Sequence, residues 1–141
     1  MIEADDLNEL IGLIKGSRVV IVTGAQRSGT TITSKILAHE LGYTFIDEKE
    51  FRTYSRSRLE KVMARDKVVI QAPAMVRYLL DYHLEPKDIS IVVMRRPIKD
   101  ILRSEKRIGW RDGVDYNQVE LDHLGMPNKK NSCEVKSALI N

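Results

Sequence analysis

Apolar residues along this chain fall into two kinds of pattern that alternate. One is a short apolar run, seen in "RVVIVTG" at 18–24, "YTFID" at 43–47, "KVVIQA" at 67–72 and "ISIVVM" at 89–94. β-Branched residues dominate these runs and glycine or polar residues close them, which predicts strands buried on both faces of a sheet. The other pattern has helical spacing. Leu7, Leu10, Ile11 and Ile14 recur at that spacing, with acids before them, Lys15 late and Gly16 as a stop, so a helix is expected over 4–15. Similar patterns predict helices over about 30–41, 56–65, 73–82 and 97–107. The segments between strands are long enough for parallel crossovers, so a three-layer α/β domain follows, with helices on both faces of the sheet. A parallel sheet of four or five strands is expected, in the order 2-3-1-4 with the strands numbered along the chain. After Gly109 the pattern weakens, and "GMPNKKNS" at 125–132 reads as an exposed turn before a short final element. Nothing repeats and no linker divides the chain, so residues 1–141 form one expected domain.

Composition narrows the function classes. A chain of 141 residues, 43% hydrophobic and 30% charged, can bury a single core. The net charge of +3 is spread among interleaved Lys, Arg, Asp and Glu, which suits a local pocket for a small polyanion better than a nucleic-acid surface. Cys133 is the single cysteine, so no internal disulfide and no multi-cysteine metal site can form. That usage suits a reducing cytoplasm. The opening "MIEADDLNEL" is acidic, unlike a signal peptide, and no apolar run reaches membrane-spanning length. A cytoplasmic protein with no membrane partner is expected.

The stretch from Val19 to Tyr43 carries the clearest chemistry. Gly24 and Gly29 have the spacing of the G-x-x-x-x-G-K-S/T phosphate loop, between an expected strand and an expected helix. Such glycines let successive N–H groups point inward, and the helix adds its positive end, which makes a site for an oxyanion. Thr30 stands where triphosphatases place a lysine. Arg27 can supply a positive charge from within the loop, and Ser28, Thr30 and Thr31 add hydroxyls. A plain strand-to-helix turn capped by Thr30 is the simpler alternative; the convergence of Arg27, Ser28, Thr30 and Thr31 favours an anion-binding domain of P-loop-like type.

Arg27 to Thr31 read "RSGTT", which resembles the 5′-phosphosulfate loop of the sulfotransferases that use 3′-phosphoadenosine 5′-phosphosulfate, in the arginine version of the tyrosylprotein and many bacterial members. A second segment, "VVMRRPIKDILRS", resembles that family's 3′-phosphate site, where a strand-end arginine is followed eight positions later by serine; Arg96 and Ser104 have that spacing, and Arg95 is the adjacent rival. The resemblance implies that Gly24, Gln26, Arg27, Ser28, Gly29, Thr30 and Thr31 hold the donor's phosphosulfate. It implies that Arg96 and Ser104 grip the 3′-phosphate, arginine's planar fork being suited to that task. Sulfuryl transfer to a hydroxyl acceptor would follow, with Arg27 stabilising the departing bisphosphate and no metal needed. Glu48 lies twenty-one positions after Arg27, the offset of the catalytic glutamate in the tyrosylprotein branch, and is the expected base. Asp47 and Glu50 are its rivals, and a plain capping role for this acidic cluster is the alternative. Where the cytosolic branch places a histidine, this chain has Gln71. The chain lacks a visible late R-K-G segment, so a minimal enzyme, a site completed across a homodimer, and a nucleotide-binding remnant all stay open.

Two other readings compete. "SKILAHELGYTFID" is similar to the segment after the phosphate loop in small-molecule and nucleoside monophosphate kinases, yet Lys35 sits more than a helical turn beyond the loop. A nucleotide-binding module with a degenerate loop is the third reading. His39, His83 and His123 have no metal-ligand spacing. Trp110 is placed either to stack on an adenine or to fill the core.

Overall fold

The computed structural model describes residues 2–24, 29–51, 55–80, 88–95, 103 and 132–137. Its strands are β1 (Ile2–Ala4), β2 (Val19–Gly24), β3 (Thr44–Ile46), β4 (Val68–Gln71), β5 (Ile89–Arg95) and β6 (Ser132–Ser137). The helices are α1 (Leu7–Ile14), α2 (Thr30–Leu41), α3 (Arg56–Met63) and α4 (Val76–Leu80). Short 3-10 turns cover Glu48–Phe51 and Pro73–Met75.

Every residue of β2 is buried, so this strand must have neighbours on both edges and helices on both faces. It pairs in parallel with β4 on one side, Val22 opposite Gln71, and with β5 on the other, Gly24 opposite Met94. β3 adds in parallel outside β4. The resulting sheet is six-stranded, in the order β1-β6-β5-β2-β4-β3. This differs in number, order and direction from the expected sheet of four or five parallel strands in the order 2-3-1-4. The difference lies at one edge, where β6 runs antiparallel to β5 and β1 antiparallel to β6. The strands from the four apolar runs lie together as β3-β4-β2-β5.

Strand alternation sorts the core into two layers. On one face Val20, Val22, Val69 and Val92 pack with Leu10 and Ile14 of α1 and Leu37 and Ala38 of α2. On the other, Val19, Ile21, Ile70, Ile91 and Val93 pack with Phe51, Leu59 and Met63 of the α3 side and with Met75 and Leu79. The α/β sandwich of three layers is therefore present in the described residues.

Local chemistry moved several boundaries. The helix expected over 4–15 begins at Leu7, because Asp6 caps it by accepting from the Glu9 amide, and residues 2–4 are drawn into the sheet by β6. The segment expected as one helix over 73–82 starts with a 3-10 turn at Pro73, which cannot donate an amide hydrogen, before α4 takes over. Ser55 caps α3, which ends at Met63. The helix expected over 97–107 lies outside the described residues except for Arg103.

The end of the sheet opposite the β2–α2 turn is tied by Arg18. Its Nε donates to Asp88 Oδ2 at 2.8 Å and its Nη1 to the Met63 carbonyl at 3.0 Å, joining the starts of β2 and β5 to the end of α3. Asp88 Oδ1 is buried without a hydrogen-bond partner, so Arg18 is what answers this carboxylate. Arg18→Ala should lower unfolding stability by about 2 kcal/mol, since it removes a part-buried charge-assisted bond and strands Asp88. Urea denaturation of wild type and variant checks this, and Arg18→Lys should recover only part of the loss because a point charge cannot serve both acceptors.

Candidate functional site

The carboxyl ends of β2, β4 and β5 meet where β2 turns into α2. Gly24 ends β2 at φ 141° and Gly29 precedes α2 at φ 93°, both conformations that L side chains rarely adopt. Thr30 is therefore not the cap expected of a plain turn: Gly29 holds the cap position in left-handed geometry with no side-chain hydrogen bond, and Thr30 is the first residue of the helix. Gly29 offers no side chain to the first amides of α2, and a helix start of this kind suits an anion. Because Gly24 pairs with Met94, the segments that carry Arg27 and Arg96 leave neighbouring strands at one edge of the sheet. Gln26, Arg27, Ser28, Arg96 and Ser104 themselves lie outside the described residues, as do His83, Trp110 and His123.

Gln71 is the residue that the sequence reading treated only as the absence of a histidine. It ends β4, faces the α2 layer with Val69, and is 5% exposed. Its Nε2 donates to Thr31 Oγ1 at 2.7 Å and lies 3.3 Å from Thr30 Oγ1. A hydroxyl that accepts from an amide keeps its own hydrogen free to donate, so both threonines are primed to donate to an anion. Ser34 Oγ donates to the Thr30 carbonyl at 2.6 Å, which fixes the first turn beneath them. On the opposite face, Thr23 Oγ1 donates to the Ala72 carbonyl at 2.8 Å and holds the end of β2 against β4.

Arg95 is the buried member of the Arg95–Arg96 pair. Its side chain is 4% exposed, its Nη2 lies 3.2 Å from Glu134 Oε2 on β6, and its Nε and Nη1 have no hydrogen-bond partner. It stands one residue past the Met94–Gly24 pairing, beside the end of β2. A buried guanidinium answered through one nitrogen is poised for a second anion. Arg96, which the offset from Ser104 selects, lies outside the described residues, while the β5–β6 pairing buries its rival Arg95.

P-loop enzymes hold Mg²⁺ between the loop hydroxyl and an aspartate. Here the described partner of both hydroxyls is a neutral amide. Among the described residues no group of three or more His, Cys, Asp or Glu could hold a metal ion. The described donors at the start of α2, two hydroxyls and an amide, carry no charge to offer magnesium. Lys35 offers no replacement charge, because its Nζ sits 5.7 Å from the Phe45 ring centroid, over β3. His39 is exposed on α2, with its nearest ionic neighbour Glu40 at 3.8 Å.

Glu48 follows β3, which is separated from β2 by β4, so it lies two strand spacings, roughly 10 Å, across the sheet edge from the loop. Asp47 is the capping member of the acidic cluster, accepting from the Lys49 amide at 3.1 Å through its side chain and from the Glu50 amide at 3.0 Å through its carbonyl. Glu48 Oε2 is buried without a partner. Burial lifts the Glu48 carboxyl above its ordinary range, Asp47 adds to the rise and Lys49 opposes it. A folded-state pKa raised in this way stabilises the fold only while the group is protonated, and that contribution is lost as pH climbs through the raised value. Glu48→Gln should thus melt above wild type at about pH 7, with the gap closing as pH falls to about 4. Thermal melts across that range check it; a gap that is constant or widens toward acid contradicts the burial argument.

No protein-family model matches the chain, and no curated protein does. Among solved structures, it is similar to a shikimate kinase from Acinetobacter baumannii in complex with shikimate, with a TM-score of 0.55 and 14% sequence identity over 79% of this chain and 78% of that one. At that identity the likeness speaks for the fold. No helix among the described residues is long and apolar enough to cross a membrane. The chain has an α/β fold, with a mostly parallel six-stranded sheet, that is similar to the fold of that kinase.

Proposed function

We propose that the chain is a P-loop protein of kinase-like fold, with a degenerate loop, that binds a nucleotide through its phosphates at residues 24–31. One observation carries the reading: Gln71 holds the Thr30 and Thr31 hydroxyls at the uncapped start of α2, beside two glycines whose backbone only glycine adopts freely. Backbone N–H groups, a helix N-terminus and primed hydroxyls form an anion site without any lysine. The fold comparison favours this kinase-like reading over the sulfotransferase one. The loop qualifies it, since neutral Thr30 replaces the lysine that reaches β and γ phosphates, and the described partner of the loop hydroxyls is the neutral amide of Gln71.

A second reading, sulfuryl transfer from 3′-phosphoadenosine 5′-phosphosulfate to a hydroxyl acceptor, is favoured by those same two replacements and by the "RSGTT" match. In it Arg27 stabilises the departing bisphosphate, Arg96 or its buried neighbour Arg95 meets the 3′-phosphate, and Ser104 assists. Glu48 takes the acceptor's proton, a role that a carboxyl lifted toward neutrality suits. A homodimer that completes the acceptor side belongs to this reading.

Thermal shift separates the outcomes. ATP, ADP or adenosine 3′,5′-bisphosphate should raise the melting temperature by roughly 8 °C at about 100 times Kd, whereas adenosine should do far less. Thr31→Ala should weaken nucleotide binding by about tenfold, the worth of one hydrogen bond to a charged group. Selective stabilisation by the 3′,5′-bisphosphate assigns the second reading. Equal stabilisation by adenosine, or none by any nucleotide, rejects phosphate recognition at this loop.

A further inference from the structure

We propose that Gln71 is a specificity-determining residue that makes the loop take its nucleotide as a metal-free anion. The inference rests on nucleotide binding at residues 24–31 and adds the charge state of the ligand and the residue that sets it.

Magnesium dehydrates reluctantly and keeps to hard, charged oxygen ligands in octahedral geometry. A loop hydroxyl alone does not repay that cost; a carboxylate on the neighbouring strand does. In this chain the neighbouring strand is β4, its last residue is Gln71, and the Gln71 side chain meets both hydroxyls, at 2.7 Å and 3.3 Å. An amide carries no net charge in either orientation. Its NH₂ group, turned toward Thr30 and Thr31, also occupies the position from which a cation would be coordinated and presents a positive dipole end there. The same bond leaves both hydroxyl hydrogens free to donate to a bare phosphate or sulfate oxygen.

A metal-free polyanion needs positive charge from elsewhere. Arg95 ends β5 beside the end of β2 with Nε and Nη1 unpartnered, on the Ile91–Val93 face of the sheet rather than the face of Gln71, and its carboxylate partner among the described residues is Glu134 on β6. The carboxyl end of β5 thus carries a buried side-chain cation.

The test is isothermal titration of ATP and of adenosine 3′,5′-bisphosphate into wild type, Gln71→Asp, Gln71→Glu and Gln71→Asn, each in EDTA and in MgCl₂. Wild type and Gln71→Asn should bind with affinities that magnesium leaves within about twofold or weakens. Gln71→Asp or Gln71→Glu should bind ATP at least about tenfold more tightly in MgCl₂ than in EDTA, because a carboxylate restores the missing ligand. Magnesium tightening of wild type by tenfold overturns the inference. Folded acidic variants that both ignore magnesium, with wild type still binding nucleotide, overturn Gln71 as the deciding residue alone. Failure of wild type to bind any nucleotide in either buffer rejects the phosphate-site reading, and this inference with it.

Discussion

Burial of β2 on both edges and both faces is the constraint from which the remaining architecture follows. Six consecutive buried residues leave the strand no edge and no face open to water, so β4 and β5 must flank it and helices must cover it on either side. Parallel pairing with both neighbours forces each connection to cross the sheet, which stacks α1 and α2 on one face and the α3–α4 side on the other. The same pairing brings three carboxyl ends together, and that is where an open α/β sheet offers a crevice to ligands. Truncating Ile21 or Ile70 at the centre of this packing would cost on the order of 2–5 kcal/mol, a large share of a domain's stability.

The functional edge inherits its chemistry from that geometry. β4 is in register with β2 such that Gln71 lies opposite Val22, close enough for its amide to reach across to the first turn of α2. β5 extends one residue past the pairing with Gly24, which places Arg95 beside the end of β2. One face of the crevice therefore offers neutral donors and the other a half-answered guanidinium. Such a site recognises an anion by donors and fixed charge, without a metal bridge.

Much of the frame was legible in the sequence because it is encoded locally. The β-branched runs mark β2, β4 and β5 directly, and α2 occupies the expected residues 30–41. The two strands of the antiparallel edge, β1 and β6, were not legible as strands. β1 is three residues long and β6 shows one buried residue, Val135, so neither carries a hydrophobic pattern of its own; each is a strand only because of partners more than thirty residues away in the chain. The site divided in the same way. The glycines and threonines of the loop announce themselves by spacing, whereas Gln71 and Arg95 matter through cross-strand neighbours that no local motif records. Gln71 could have been found by asking what side chain ends the strand paired beside the loop.

The central claim is that the loop between β2 and α2 seats phosphate groups on the Thr30 and Thr31 hydroxyls while Gln71 keeps hold of both. A crystal structure of the protein grown with ADP in EDTA tests it most directly. The account predicts a phosphate within residues 24–31, its oxygens at about 2.5–3.0 Å from Thr30 and Thr31 Oγ1, and the Gln71 amide still within hydrogen-bond distance of those hydroxyls. ADP bound away from this loop, or a phosphate in the loop with Gln71 swung away from both threonines, would contradict it.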